Sequence, residues 1–136
     1  MKILNHTQID EDVIRAMVSL LTKGISRKIS RISVSYTRKE RFFSHGRCFF
    51  SSPCVITVAV SKNGAIYPFT ANAKRDPIFH FPKYEIRDLY ENLVQILAHE
   101  IYHLRAYLHK RKNTECRAER YAHKILEEFR SEFWSV

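Results

Sequence analysis

Cysteine, methionine and acidic side chains are all scarce in this chain of 136 residues. Its three cysteines, Cys48, Cys54 and Cys116, are odd in number and lack CxxC spacing, which argues against a disulfide framework and against a cysteine-built zinc finger. Reduced thiols in a cytoplasm are the plain expectation. Long apolar runs are also missing: a stretch such as Cys54 to Val60 falls far short of the roughly 20 residues that cross a bilayer. Met1 to His6 carries no charged leader followed by an apolar stretch and cleavage site, so an intracellular chain with no membrane association is expected. No repeat, low-complexity tract or linker divides the sequence. With 45% hydrophobic content, it suits one domain over residues 1–136.

The shortage of acids leaves 23 Lys and Arg against 14 Asp and Glu, a formal charge of +9 that gives much of the surface a positive field. Part of it is concentrated. Arg27, Lys28, Arg31, Arg38, Lys39, Arg41 and Arg47 are opposed only by Glu40, with Phe42 and Phe43 among them. Such a mixture can hold phosphates and stack bases, making nucleic acid a candidate partner of segment 27–47. The blander explanation is a solvated basic loop with its aromatics turned into the core.

Thr7 can cap a helix, and Ile9, Val13, Met17, Leu20 and Leu21 recur at helical spacing, predicting a helix from Gln8 to Lys23 ended by Gly24. Ile32, Val34 and Tyr36 alternate with serines as a half-buried strand does, and a second strand includes Cys48 to Phe50. Val55 to Val60 is rich in β-branched residues and is followed by Asn63-Gly64, a strong hairpin signal. Ala65 to Phe69 then returns as a short edge strand, because Pro68 cannot sit mid-sheet. Thr70 to Pro82 reads as a loop bordering a cleft. From Ile86 to about His109 a helical period runs without Gly or Pro. Lys110 to Lys112 complements its negative end, and Asn113 or Thr114 caps a last helix striped by Ala118, Tyr121, Ala122, Ile125, Leu126 and Phe129. Helix, three or four mainly antiparallel strands, helix, helix is an α+β order.

The chemistry lies in His99-Glu100-Ile101-Tyr102-His103. Residues four apart on a helix share a face, so His99 and His103 can aim their imidazoles at one point. A catalytic zinc ion takes three protein ligands and leaves a fourth position to water. Glu100, beside the first ligand, is placed as general base for that water. Seven histidines leave room for an accidental HExxH, but this one lies in a predicted helix behind the apolar stretch Leu93 to Ala98.

The third ligand is open among several residues. His109 completes HExxHxxxxxH, the spacing of the metzincins. That family turns the chain at a glycine where Ala106 stands, and its Met-turn has no counterpart, since Met1 and Met17 are the only methionines. A continued helix would carry His109 about 9 Å along the axis from His103. In Glu115-Cys116-Arg117-Ala118-Glu119 the chain instead resembles the gluzincins, whose third ligand is a Glu in an ExxxD or ExxAD pattern on the next helix. By that resemblance Glu115 binds zinc, and Glu119, in place of Asp, accepts a hydrogen bond from a ligating imidazole. In a tight helical hairpin Glu119 could take the ligand role itself. His123 is a weaker rival, as SprT-like proteases use a third His. His6, His45 and His80 show no partner spacing.

Over about Leu93 to Leu126, the sequence is similar to minimal zincins of the minigluzincin or SprT-like kind. The resemblance implies a zinc metallopeptidase whose protein or peptide substrate lies along a sheet edge, expected here between Val55 and Phe69. Tyr102, Tyr107 and Tyr121 are available as oxyanion donors, though each also fits a packing role. Two alternatives remain: a basic nucleic-acid-binding or interaction module with a structural zinc, and a latent protease in which Cys116 or a terminal segment occupies the metal.

Overall fold

β-branched residues through Cys54–Val60 make a strand, β4, that is buried along most of its length, and the main sheet is built around it. In the computed structural model, which describes residues 1–38, 43–51 and 53–133, β4 lies between β2 (Ile29–Tyr36) and β3 (His45–Phe49). β1 (Lys2–Asn5) completes the order β1-β2-β4-β3. The fold is α+β, and its four-stranded sheet is mixed rather than mainly antiparallel. β1 and β4 both run parallel to β2, and only β3 is antiparallel, pairing Gly46 with Val58 and Cys48 with Ile56. Parallel neighbours need a crossover, and α1 (Glu11–Leu21) supplies the one between β1 and β2.

The first helix starts at Glu11 rather than at Gln8. Asn5 Oδ1 accepts from both the backbone N–H and the hydroxyl of Thr7, holding it in a preceding turn. The cap is Asp10, whose carboxylate accepts from Asp12 N at 2.7 Å. α1 buries Ile14, Met17, Val18 and Leu21, and Gly24 reverses the chain at φ 84°. Arg105 then donates to the carbonyls of Leu21 and Lys23 at 2.7 and 3.0 Å, closing the end of α1.

Asn63-Gly64 does not form the expected hairpin. A two-residue type I′ turn needs positive φ at both central residues, but Asn63 has φ −74° and its side chain accepts from Ala65 N, opening a short 3₁₀ turn over Gly64–Ile66. The chain leaves the main sheet there. β5 (Phe69–Ala71) pairs antiparallel with β6 (Tyr84–Ile86) in a separate ribbon. The segment read as one loop from Thr70 to Pro82 therefore includes part of a strand and a 3₁₀ turn at Pro77–Phe79. The edge near the proposed chemistry is β3, and β4 is internal.

α2 (Leu89–Leu108) is capped by Asp88, whose side chain accepts from Glu91 N at 2.9 Å. It packs on β3, β4, α1 and α3 (Glu115–Phe133). Leu93, Leu97 and Leu104 are fully enclosed and share one core cluster with Ala122, Leu126 and Phe129 of α3. Each such large side chain contributes about 1.5–3 kcal/mol by leaving water. No helix among the described residues is long and apolar enough to cross a membrane.

A buried ion pair fixes how the two helices meet. Arg130 of α3 grips Glu91 of α2 with two bonds of 2.7 and 2.8 Å, and Arg87 N donates to the same carboxylate at 2.8 Å. Burial alone would raise the Glu91 pKa, but Arg130 and the Arg87 amide outweigh it and hold the carboxyl below its ordinary range. A lowered native pKa means stability that is complete above the unfolded carboxylate range and lost as pH falls through the native value. Replacing Glu91 by Ala should lower the unfolding free energy by about 3–5 kcal/mol at neutral pH, measured by urea denaturation. The gap from wild type should narrow on acidification.

Candidate metal centre

One turn apart on α2, His99 and His103 bring their Nε2 atoms to 3.1 Å. Glu115, the first residue of α3, straddles them, with Oε2 at 2.9 Å from His99 Nε2 and Oε1 at 3.0 Å from His103 Nε2. Thr114 sets the start of α3 by accepting from Arg117 N at 3.2 Å. Among the described residues, His99, His103 and Glu115 form a group whose donor atoms lie within 4.8 Å of one another.

The other ring nitrogens decide the chemistry of this triangle. His99 Nδ1 lies 2.7 Å from Glu119 Oε2, and His103 Nδ1 meets the side-chain oxygen of Asn113. A carboxylate and an amide oxygen only accept, so in the neutral imidazoles both Nδ1 atoms carry the proton. Both Nε2 lone pairs then face each other and a carboxylate with no donor between them. A cation resolves that convergence, be it a metal ion or a proton on an imidazole. Donors at about 2.0–2.1 Å from a tetrahedral zinc stand roughly 3.3 Å apart, close to the 2.9 to 3.1 Å found. The residues therefore fit the ion.

Glu100 is 8% exposed, and burial raises its pKa more than the two imidazoles and Arg47 lower it. For His99, burial pulls the pKa down, but the hydrogen bond and charge of Glu119, with Glu115 and Glu100, raise it overall. Glu119 goes the other way: His99, Asn72 and Arg75 overcome its burial and keep it ionised. Cys48, on the wall beside Glu100, is pushed up to about 12 by burial and by Cys54 and Glu100, so its thiol is neutral.

The triangle opens on a cleft of about 1090 Å³ between β3 and the strand-and-loop stretch 69–75, with α2 as its floor. Gly46 of β3 faces Glu100 so closely that a Cβ there would lie 2.8 Å from Glu100 Cγ and from Ile96 Cγ2. Only glycine gives the carboxylate this space. Neither Gly46 nor Asn113 was read from the sequence as part of the site. The available signals were faint: Gly46 is one of three glycines in the chain, and Asn113 drew notice only as a helix cap.

The remaining candidates lie elsewhere. His109 follows the last residue of α2, and its N–H closes the helix onto Arg105. His123 stacks on Tyr84 with ring centres 4.4 Å apart and reaches Glu127, not the triangle. The Cys116 thiol donates to the carbonyls of Phe79 and His80, so it does not occupy the metal position. The hydroxyl of Tyr102 donates to Lys112 O, Tyr107 stacks on Phe50, and Tyr121 leans on Tyr102. In segment 27–47, Arg31, Arg38 and Arg47 are exposed. Phe43 is 80% exposed rather than turned into the core, while Lys39, Glu40, Arg41 and Phe42 lie outside the described residues. No protein-family model, curated protein or solved structure matches this chain.

Dialysis against zinc followed by metal analysis should show loss of the ion for His99→Ala, His103→Ala and Glu115→Ala, and retention for His109→Ala and His123→Ala. Glu119→Ala and Asn113→Ala should weaken binding about 10- to 100-fold, by freeing the ligand rings. Affinity should fall as the solution is acidified, because protons compete for the same nitrogens.

Proposed function

We propose that this protein is a zinc-dependent metallopeptidase of the minimal zincin kind, with His99, His103 and Glu115 as ligands and Glu100 as general base. The observation that carries the reading is the donor triangle: acceptors converge on one point, both imidazoles are oriented from behind, and Glu100 borders the same cleft. Zinc bound there would acidify a water toward a pKa of about 7 and polarise a peptide carbonyl. Glu100 takes the proton from the attacking water and passes it to the leaving amine. Glu119 and Asn113 hold the rings so that neither Nε2 turns away.

A basic nucleic-acid-binding or interaction module with a structural zinc draws support from the charge of +9. Structural zinc sites are usually closed by four protein ligands, whereas catalytic ones keep a position open. Three donors facing a cleft favour the enzyme. We place the protein in the cytoplasm, a reading supported by its three unpaired thiols.

Glu100→Gln should retain zinc and fold while slowing cleavage of an unfolded protein by about 10²- to 10⁴-fold. Gly46→Ala should likewise keep the metal yet lose cleavage, because the added methyl displaces Glu100. Stoichiometric zinc in a wild type that cuts neither unfolded nor DNA-bound protein would sink the peptidase reading in favour of the structural-zinc module.

A further inference from the structure

Three cations line the cleft without a salt bridge among the described residues, although Arg47 and Arg75 act at longer range on Glu100 and Glu119. Arg47 stands on the β3 wall, and Lys74 and Arg75 stand on the opposite wall. All three are exposed, and none closes an ion pair among the described residues. Aromatic faces support two of them: the guanidinium carbons of Arg47 and Arg75 lie 5.8 and 4.5 Å from the ring centres of Phe49 and Phe81. The stems are thereby steadied, and the charged heads keep their hydrogen-bonding forks for another molecule.

The acids of the same cleft are already committed. Glu115 and Glu119 engage the imidazoles, and Glu100 is buried under β3. With a divalent ion held by the triangle, Arg47, Lys74 and Arg75 leave the lining with a net positive charge. Its negative groups sit at the centre, and its unpaired positive groups sit on both walls.

We infer that the cleft selects acidic peptide segments, with Arg47 on one wall and Lys74 and Arg75 on the other receiving carboxylate side chains that flank the bond to be cut. This rests on the peptidase reading and names its substrate class. A peptide can present carboxylates at the walls and a neutral backbone at the centre. A nucleic-acid strand carries a charge at every nucleotide and would press phosphates against Glu100 and Glu115. Cationic walls act mainly through encounter and discrimination, so their effect is sensitive to salt.

The test uses the full zinc-loaded chain and quenched peptides of one scaffold, carrying Glu, Gln or Lys on both sides of a fixed centre. The Glu peptide should be cleaved with a kcat/KM about tenfold above the Gln peptide, and the Lys peptide should be poorest; the gap should narrow as salt is raised. Arg47→Glu combined with Arg75→Glu should invert the order. A second arm measures binding of the same peptides to Glu100→Gln by fluorescence anisotropy. Equal cleavage of all three peptides overturns the inference while leaving the peptidase reading intact. Charge-selective binding, lost with the two reversals but accompanied by no cleavage in wild type, upholds the acidic cleft and removes the peptidase reading. Displacement of the Glu peptide from the zinc-loaded protein by a single-stranded oligonucleotide at lower concentration overturns the inference in favour of a nucleic-acid groove.

Discussion

The meeting of α2 with α3 governs the donor triangle, because one helix brings the imidazoles and Glu100 and the other brings Glu115 and Glu119. Its anchor lies about two turns before the imidazoles on α2. Arg130 clasps Glu91 in a nearly water-free setting, while Ala118 and Ala122 are fully buried nearer the start of α3. A buried ion pair adds modest net stability but penalises any arrangement that separates its partners. Here it fixes the register that sets Glu115 over two nitrogens and Glu119 behind one of them.

Burial and hydrogen bonding together give three carboxylates of the same cleft different surroundings. Glu119 is enclosed beside an imidazole and stays charged, so it orients. Glu100 is enclosed with weaker compensation, and its affinity for protons rises. Glu115 is the most open of the three, with its side chain 57% exposed, and it offers both oxygens to the nitrogens. Glu100 and Glu119 are equally enclosed, so the imidazole hydrogen bond that Glu119 has and Glu100 lacks, rather than residue type or burial, separates these two.

Local periodicity made α2 readable, since a helix of this length without Gly or Pro announces itself and HExxH needs only one turn to acquire meaning. The α+β order was readable for the same reason. Strand direction was not, because it depends on α1 crossing between β1 and β2, and a four-residue β1 shows too little alternation to be noticed. Thr7 and Asp10 both carry capping chemistry, and the choice fell to Asn5, whose side chain had already claimed Thr7. Asn63-Gly64 failed as a hairpin because Asn63 bonded forward to Ala65 instead of adopting the φ that a tight reversal requires. Gly46 and Asn113 reach the cleft through contacts across the fold that no sequence spacing encodes, whereas His109 and His123 showed suggestive spacings and went to a helix end and a stacking partner.

Cys116 and Arg120 of α3 hold the carbonyls of Phe79 and His80, and Asn72 holds Pro82. The loop bearing Lys74 and Arg75 is thus moored to the helix that supplies Glu115. A tilt of that helix would shift the Glu115 carboxylate and the width of the entrance together, so the donor triangle and the mouth of the cleft move as one mechanical part.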